Sequence, residues 1–296
     1  MPPELPDVVT LSVPLFLVGM LLELAVSHRG RTVRYETRDT FASLAMGSVR
    51  VIEGIVLGGL ATAVLVWAHQ FRLLDIGREW WVVVVAFVID DLRYYVYHRV
   101  AHRIRWFWAE HVNHHSSQHY NLSTALRQSW TGTLGGSVIF KVPLALIGFD
   151  PGMLVFVVGL NTVYQFWIHT EAIDKMPWWF EAVFNTPSHH RVHHARNPRY
   201  LDTNFAGALI IWDRMFGSFV PEDEAEPCQY GLVNNLGTFN PVRIAFHEWA
   251  ALLVDVVRPG LTLGQRLRYA FGPPGYSHDG SRRTADELKA EALAAR

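Results

Sequence analysis

Eight of the fifteen histidines in this 296-residue chain fall into three short boxes. His98 and His102 are four apart, His111, His114 and His115 follow the pattern HxxHH, and His190, His193 and His194 repeat it. Residues four apart on a helix differ by about 40° around the axis and one turn in height, so each box aims two imidazoles at one place. In HxxHH the third histidine lies about 100° away and can reach a neighbouring ion. His169 and His189 are further candidates. So many imidazoles packed without a cation leave ring nitrogens unsatisfied, or repelling once protonated. The spacing therefore points to metal. His28, His69, His119, His247 and His278 are scattered and read as ordinary polar residues.

The ligand types narrow the chemistry. No HExxH occurs, and the lone cysteine, Cys228, excludes thiolate zinc, iron–sulfur and paired-cysteine redox sites. Bis-histidine haem calls for isolated histidines facing each other, not dense boxes. Eight to ten imidazoles suffice for two ions of about four to six coordination. Imidazole suits iron, copper, nickel and zinc alike, so ligand type leaves the metal open.

The elements that carry the boxes are apolar. Hydrophobic residues make up 50% of the chain and charged residues 18%, with a net charge of −1. These values exclude a disordered tail protein and a strongly basic nucleic-acid binder. Apolar runs occupy residues 8–26, 55–68 (or 49–68), 80–89 continuing through Tyr97, 137–149 and 153–168. A span needs about 20 residues to cross about 30 Å of hydrocarbon. Five such runs, with Trp67, Trp80, Trp81, Tyr94, Tyr95, Tyr97 and Trp167 near their ends, read as membrane segments. Glu4, Asp7 and the lack of a basic start argue that the first run is a retained anchor and not a signal peptide.

The 28–39 loop holds Arg29, Arg31, Arg34 and Arg38. In the 69–79 loop, Arg72 and Arg78 are offset by Asp75 and Glu79. The positive-inside tendency makes the first loop cytoplasmic, and the 148–152 turn external. Parity then brings every dense histidine segment to the cytoplasmic face, whether 134–168 spans fully or is re-entrant. The expected fold is an all-α, integral-membrane helical bundle with a cytosolic histidine-rich di-metal cap. It is one membrane domain, 1–296: N-terminal transmembrane helices at 1–79, a catalytic core at 80–220 and a cytosolic segment at 221–296. Beside lipid, a pair of ferrous ions is the arrangement that makes chemical sense. It can reduce dioxygen to an oxidant for unactivated C–H bonds, which no side chain can do.

The boxes resemble those of the fatty acid hydroxylase and sterol desaturase superfamily of membrane di-iron oxidases. The resemblance runs from Asp91 to about His247. It includes Asp91-x-x-Tyr94-Tyr95-x-x-His98-Arg99-x-Ala101-His102, His111-x-x-His114-His115-Ser116-Ser117, the 120–129 and 164–171 segments, and the stretch from Asn185 to His194. Within the superfamily the chain most resembles the alkylglycerol monooxygenases. The resemblance implies metal ligands at His98, His102, His111, His114, His115, His190, His193 and His194, with His169 and His189 as additional ligands. It also implies two iron ions (zinc being an alternative occupant in isolated protein), dioxygen as co-substrate and tetrahydrobiopterin as reductant. Two departures stand out. Ile173 stands where relatives with a second HxxxH have histidine, and Arg103 stands where alkylglycerol monooxygenases have glutamate.

Behind the ligands, Asp91 sits seven residues before His98 on nearly the same helix face and is expected to orient an imidazole. Arg127 and Gln128 are candidates for a lipid head group or reductant. Asn121, Gln165, Glu171, Asp202, Asn204 and Asp213 are weaker candidates for supporting the ligands, substrate or cofactor. Trp106, Phe107 and Trp108 read as an interface anchor, and Phe140, Val155, Phe156 and Phe166 as the lining of an acyl route. The expected reaction is dioxygen-dependent monooxygenation of a membrane lipid chain, with ether-lipid cleavage as its specific form. The rivals are a fatty-acyl, sterol or carotenoid hydroxylase or desaturase with an external electron donor, and a non-enzymatic zinc-holding membrane protein. No nucleic-acid partner is expected, and the oligomeric state is open.

Overall fold

The computed structural model describes residues 5–30 and 33–295. Glu4 and Arg31, used above, lie outside them. The described chain is helical, with only two isolated bridges, Phe184 to Leu209 and Ala195 to Tyr230.

Two long helices come first, α1 (Val8–Gly30) and α2 (Thr37–His69). Both are long and apolar enough to cross a membrane. α2 starts at Thr37, well before the apolar run at 49–68, because the Glu36 carboxylate accepts the Asp39 amide at 2.6 Å and caps it. Arg50 and Glu53, the charges inside it, pair with one another. α3 (Trp80–Arg103) carries the first box at its end and α4 (Arg105–His115) the second. Only Ile104 separates them. Its extended backbone, φ −122° and ψ 117°, breaks the helix and folds the second box back against the first.

The run at 137–149 does not form one helix. A 3₁₀ turn at Ser137–Phe140 gives way at Lys141 to α5 (Val142–Ile147). Six residues rise about 9 Å, far short of a bilayer. Gly148, at φ 130°, ends α5 where a Cβ would lie 2.1 Å from the Leu74 carbonyl. The Leu73 and Leu74 amides bond to the Leu146 and Ile147 carbonyls at 2.8 and 3.1 Å, fixing this turn against the α2–α3 loop. α6 (Pro151–Trp167) then runs back toward His169. Leu65, Ala68, Val82, Ala86, Leu144, Phe149, Met153 and Val157 form an apolar core at the end of the bundle away from the boxes.

The remaining helices are short or peripheral: α7 (Trp178–Glu181), α8 (Pro187–His194) with the third box, α9 (Ile211–Met215), α10 (Pro241–Val257), α11 (Leu263–Phe271) and α12 (Ala285–Ala294). Arg105 ties α4 to α10 through Glu248 and Asp255 at 2.7 and 2.6 Å. Arg127 is fully buried; its Nη2 bonds the Asp39 carbonyl at 2.7 Å and its guanidinium pairs with the Asp39 carboxylate. That pair fastens α2 to the chain after the second box.

Candidate metal centre

Nine of the ten candidate histidines converge into two groups. His98, His102, His111, His115 and His193 form one, and His114, His169, His190 and His194 the other. Within each, the ligand nitrogens all lie within 4.8 Å of one another. The two HxxHH boxes are shared reciprocally. His111 and His115 join the first group and send His114 to the second, while His190 and His194 join the second and send His193 to the first. Helical spacing favours this division, since the side chains at i+3 and i+4 point about 100° apart, on either side of i.

Nε2 faces Nε2 throughout. The distances are 2.8 Å for His98–His111, 3.0 Å for His111–His115, 3.0 Å for His114–His169, 3.0 Å for His169–His190 and 3.2 Å for His190–His194. Separations this short let neighbouring ring nitrogens converge on a single ion about 2.1 Å from each.

The other ring nitrogens are held from outside. His98 Nδ1 donates to the Phe205 carbonyl at 2.7 Å, His193 Nδ1 to the Thr203 carbonyl at 2.8 Å and His169 Nδ1 to the Gln165 carbonyl at 2.6 Å. His102 Nδ1 donates to Asp202 Oδ1 at 3.2 Å. A proton on Nδ1 leaves Nε2 as a bare lone pair. For His102 and His193 that buried Nε2 has no hydrogen-bond partner. Two buried lone pairs aimed into a ring of other imidazoles fit a cation. Burial holds His111, His115, His169, His190, His193 and His194 well below the ordinary histidine pKa, with neighbouring imidazoles adding to the effect, and pushes His114 down to about 4. Neutral imidazole is the form a metal requires.

His189 joins neither group. One step from His190, its ring turns about 100° away to face Phe219, with Nε2 3.8 Å from Glu181 Oε2. Asp91 meets no imidazole either. Seven residues before His98 is about 10 Å down the axis, where its carboxylate accepts from Asn161 Nδ2 (2.6 Å), the Ala208 and Leu209 amides (2.7 and 3.0 Å) and Trp212 Nε1 (2.9 Å). Asp91 thus shapes the loop whose Phe205 carbonyl holds His98. Asp213 braces the same loop through the Phe205 and Ala206 amides, both at 2.8 Å.

Arg127, a candidate for a head group, is buried, its guanidinium paired with Asp39 and bonded to Ser43 and Ser116 at 3.1 and 3.2 Å. Gln128 is exposed and bonds the Ala125 carbonyl at 2.8 Å. Asn121 caps the 3₁₀ turn at Leu122–Leu126. The Gln165 side chain bonds Asn161 Oδ1 at 2.6 Å. Glu171 accepts from Tyr230 at 3.0 Å, and burial raises its pKa. Asn204 bonds the His189 and Val220 carbonyls at 3.0 and 2.8 Å.

A cavity of about 370 Å³ reaches His102, His115, His193 and His194. Trp108, expected at an interface, forms part of its wall, 5.1 Å from the His102 ring. The four residues assigned to an acyl route do not line one passage. Phe140 packs on Tyr97 and Phe107, Phe166 stacks on Phe16, Phe156 packs on the apolar core and Val155 faces outward. On α6, positions 155 and 166 lie within about 20° of one face but about 16 Å apart along the axis, and 156 turns about 100° from 155.

Sequence reasoning missed the carbonyls of Thr203 and Phe205, since backbone carries no residue signature. Glu23, inside the apolar run at 8–26, was not among the candidates. Glu23 is buried, accepts the Leu122 amide at 2.8 Å, and bonds Tyr35 and Thr170 beside His169. A lone acid within a long apolar helix was the available signal.

Residues 83–218 match the family model for fatty acid hydroxylases. Among curated proteins, the chain is 38% identical to alkylglycerol monooxygenase of Xenopus tropicalis, over 92% of this chain and 60% of that protein. It is 41% identical to the Homo sapiens alkylglycerol monooxygenase, over 83% and 55%. To the ornithine lipid hydroxylase OlsE of Rhizobium tropici it is 28% identical, over 46% and 41%. The chain spans just over half the length of the alkylglycerol monooxygenases it matches. No solved structure matches it.

Proposed function

From the match of residues 83–218 to the fatty acid hydroxylase family model, we propose that this chain belongs to that family and is a dioxygen-dependent di-iron monooxygenase cleaving ether lipids of the alkylglycerol type. The observation that carries the reading is the pair of buried imidazole groups, in a chain alike to alkylglycerol monooxygenases over most of its length. The nine converging histidines are the proposed ligands. Two irons, when bound, supply the reduction of dioxygen to an oxidant of C–H bonds. Hydroxylation of the carbon next to the ether oxygen gives a hemiacetal, which collapses to a fatty aldehyde and glycerol. Tetrahydrobiopterin is the reductant implied by the resemblance.

The chain's own part is positioning. Asp202 and the carbonyls of Phe205, Thr203 and Gln165 hold four rings in the tautomer that presents Nε2 inward. The cavity beside Trp108 gives substrate or reductant access to the first group. α1 and α2 anchor a multi-pass protein, with Arg34 and Arg38 marking the cytoplasmic side on which the histidines lie. Residues 1–79 serve as the anchor, 80–220 as the core and 221–296 as the segment closing the cavity.

The test is product analysis. Purified chain loaded with iron is given an alkylglycerol, tetrahydrobiopterin and dioxygen, and fatty aldehyde is measured. Aldehyde formation supports the reading, and its absence ends the ether-lipid assignment. A second reading, hydroxylation of another membrane lipid, is favoured by the likeness to the ornithine lipid hydroxylase. It is supported if a hydroxylated lipid appears without aldehyde. Tightly held zinc with no dioxygen consumed on any lipid would mark a structural metal site.

A further inference from the structure

The expected cytosolic segment carries a surface that does not suit water. On α10, Val242, Phe246, Ala250, Leu253 and Val257 are exposed and fall within about 80° of one another around the axis. The opposite face is apolar as well, since Ile244 and Ala245 pack on Ala42 and Met46 of α2. α11 repeats the pattern. Leu263, Leu267 and Phe271 are 72%, 51% and 54% exposed at four-residue spacing, while Tyr269 and Ala270 are buried. The two stripes meet at Trp106, whose ring lies 5.0 Å from Trp249 of α10 and 6.0 Å from Phe271 of α11. Leu134 is exposed beside Gly135, whose carbonyl accepts Trp106 Nε1 at 2.8 Å, so the surface continues beyond the helices.

The charges around this surface have one sign. α10 and α11, with the turn between them, hold Arg243, Arg258, Arg266 and Arg268 against two acids, Glu248 and Asp255. Both acids turn inward to Arg105 at 2.7 and 2.6 Å, and Asp255 also takes Arg282 at 2.6 Å. Arg243, Arg258 and Arg268 are exposed beside the stripes. An apolar stripe flanked by arginines is the form of a helix lying in a bilayer surface, its apolar side sunk about 5–10 Å. Isolated exposed apolar residues are ordinary, but a contiguous patch marks a partner.

We propose that α10 and α11 lie in an anionic lipid surface, so that the C-terminal part of the cap is embedded in the interface and does not stand free in the cytosol. The occupant is lipid because the patch is basic and because α10 packs directly on α2, a helix proposed to span the membrane. The inference rests on that spanning reading. It also gives the cavity a lipid-side wall: His247 and Glu248 of α10 and Pro273 just after α11 line it. The helices that touch the bilayer would then also border the route to the first histidine group.

The experiment uses the full chain with Cys228→Ser, in vesicles of phosphatidylcholine and phosphatidylglycerol, carrying one fluorophore-labelled cysteine. The positions are Leu253→Cys, Leu267→Cys, Ile55→Cys on α2 and Ala225→Cys on an exposed loop. Labels at 253 and 267 are expected to be quenched by lipids spin-labelled near the head group, and severalfold less by aqueous iodide than the label at 225. The label at 55 is expected to respond to deep spin-labelled lipids. If 253 and 267 match 225 in iodide while 55 stays in lipid, the inference fails and the spanning reading stands. If 55 is also open to iodide, both fail. Labels at 253 and 267 shielded from iodide and lipid alike would show a second copy of the chain on this face and overturn the proposal.

Discussion

The two histidine groups draw on the same boxes but are supported differently. In the first, His98, His102 and His193 are each held from behind by the segment 202–205, through two carbonyls and the Asp202 carboxylate. In the second, the Gln165 carbonyl holds His169, while His190 Nδ1 is buried without a partner. The first group also lines the cavity with three rings, against one, His194, from the second. The second is closed by Tyr120, which lies 5.8 Å from His169 and 5.2 Å from His194 and stacks on Tyr230. A box pattern therefore specifies where imidazoles converge, while the loops around it decide which group opens onto the cavity. The first is the accessible position, and its ligands are the more firmly oriented.

The largest effects should come from the ligand at the centre of each group. His111→Ala and His169→Ala should each lose one of two metal ions and lower turnover by more than about 100-fold, beyond the loss typical of residues behind the ligands. Metal analysis of both variants checks this. If either one loses both ions, the groups are a single site and the comparison breaks. Asp202→Asn should weaken metal binding at the first group by about 10–100-fold and leave the second intact. Stepwise removal with a chelator would resolve the two positions, and equal weakening of both would count against separate support.

Acid should destabilise the metal-stripped fold through the enclosed rings, because they resist the proton that the unfolded chain accepts. His114 is held at about 4 by burial, below the unfolded value of about 6.5. The unfolded chain therefore takes up the proton first as pH falls. Metal-stripped protein should be equally stable above about pH 7 and lose up to about 1.4 kcal/mol per pH unit for each such ring between about pH 6.5 and 4. Thermal unfolding across that range is the measurement, and a flat Tm would contradict the burial argument. The smallest effect belongs to His189→Gln, outside both groups. It should keep both ions and change turnover by less than about threefold, within the reach of an ordinary substitution of about 0.5 kcal/mol. Loss of an ion would place His189 back among the ligands.

Much of the centre was legible in the sequence because helical spacing translates directly into direction. His114 and His115 point about 100° apart on the helix, which separates their rings, and the neighbouring elements complete each group. The supports were less legible. Thr203 and Phe205 act through carbonyls, presented by a backbone that turns through positive φ at Asp202 (48°) and Asn204 (53°). Aspartate and asparagine tolerate that region better than most residues, so the pair was a turn signal as well as a pair of polar candidates. Asp91 was misread because a shared face says nothing about height along the axis. The apolar run at 137–149 read as one segment because hydropathy cannot see the break at Lys141 or the contact that holds Gly148 against Leu74. The part played by residues 221–296 in the cavity wall comes from tertiary packing, through Arg105 and the salt bridge from Arg103 to Asp286 at 2.6 Å.

Metal stoichiometry of the gently purified full chain tests the central claim most directly. Two imidazole groups predict two ions per chain, falling to one in His169→Ala. A chain that binds a single ion, or retains two when His169 is removed, would contradict the account.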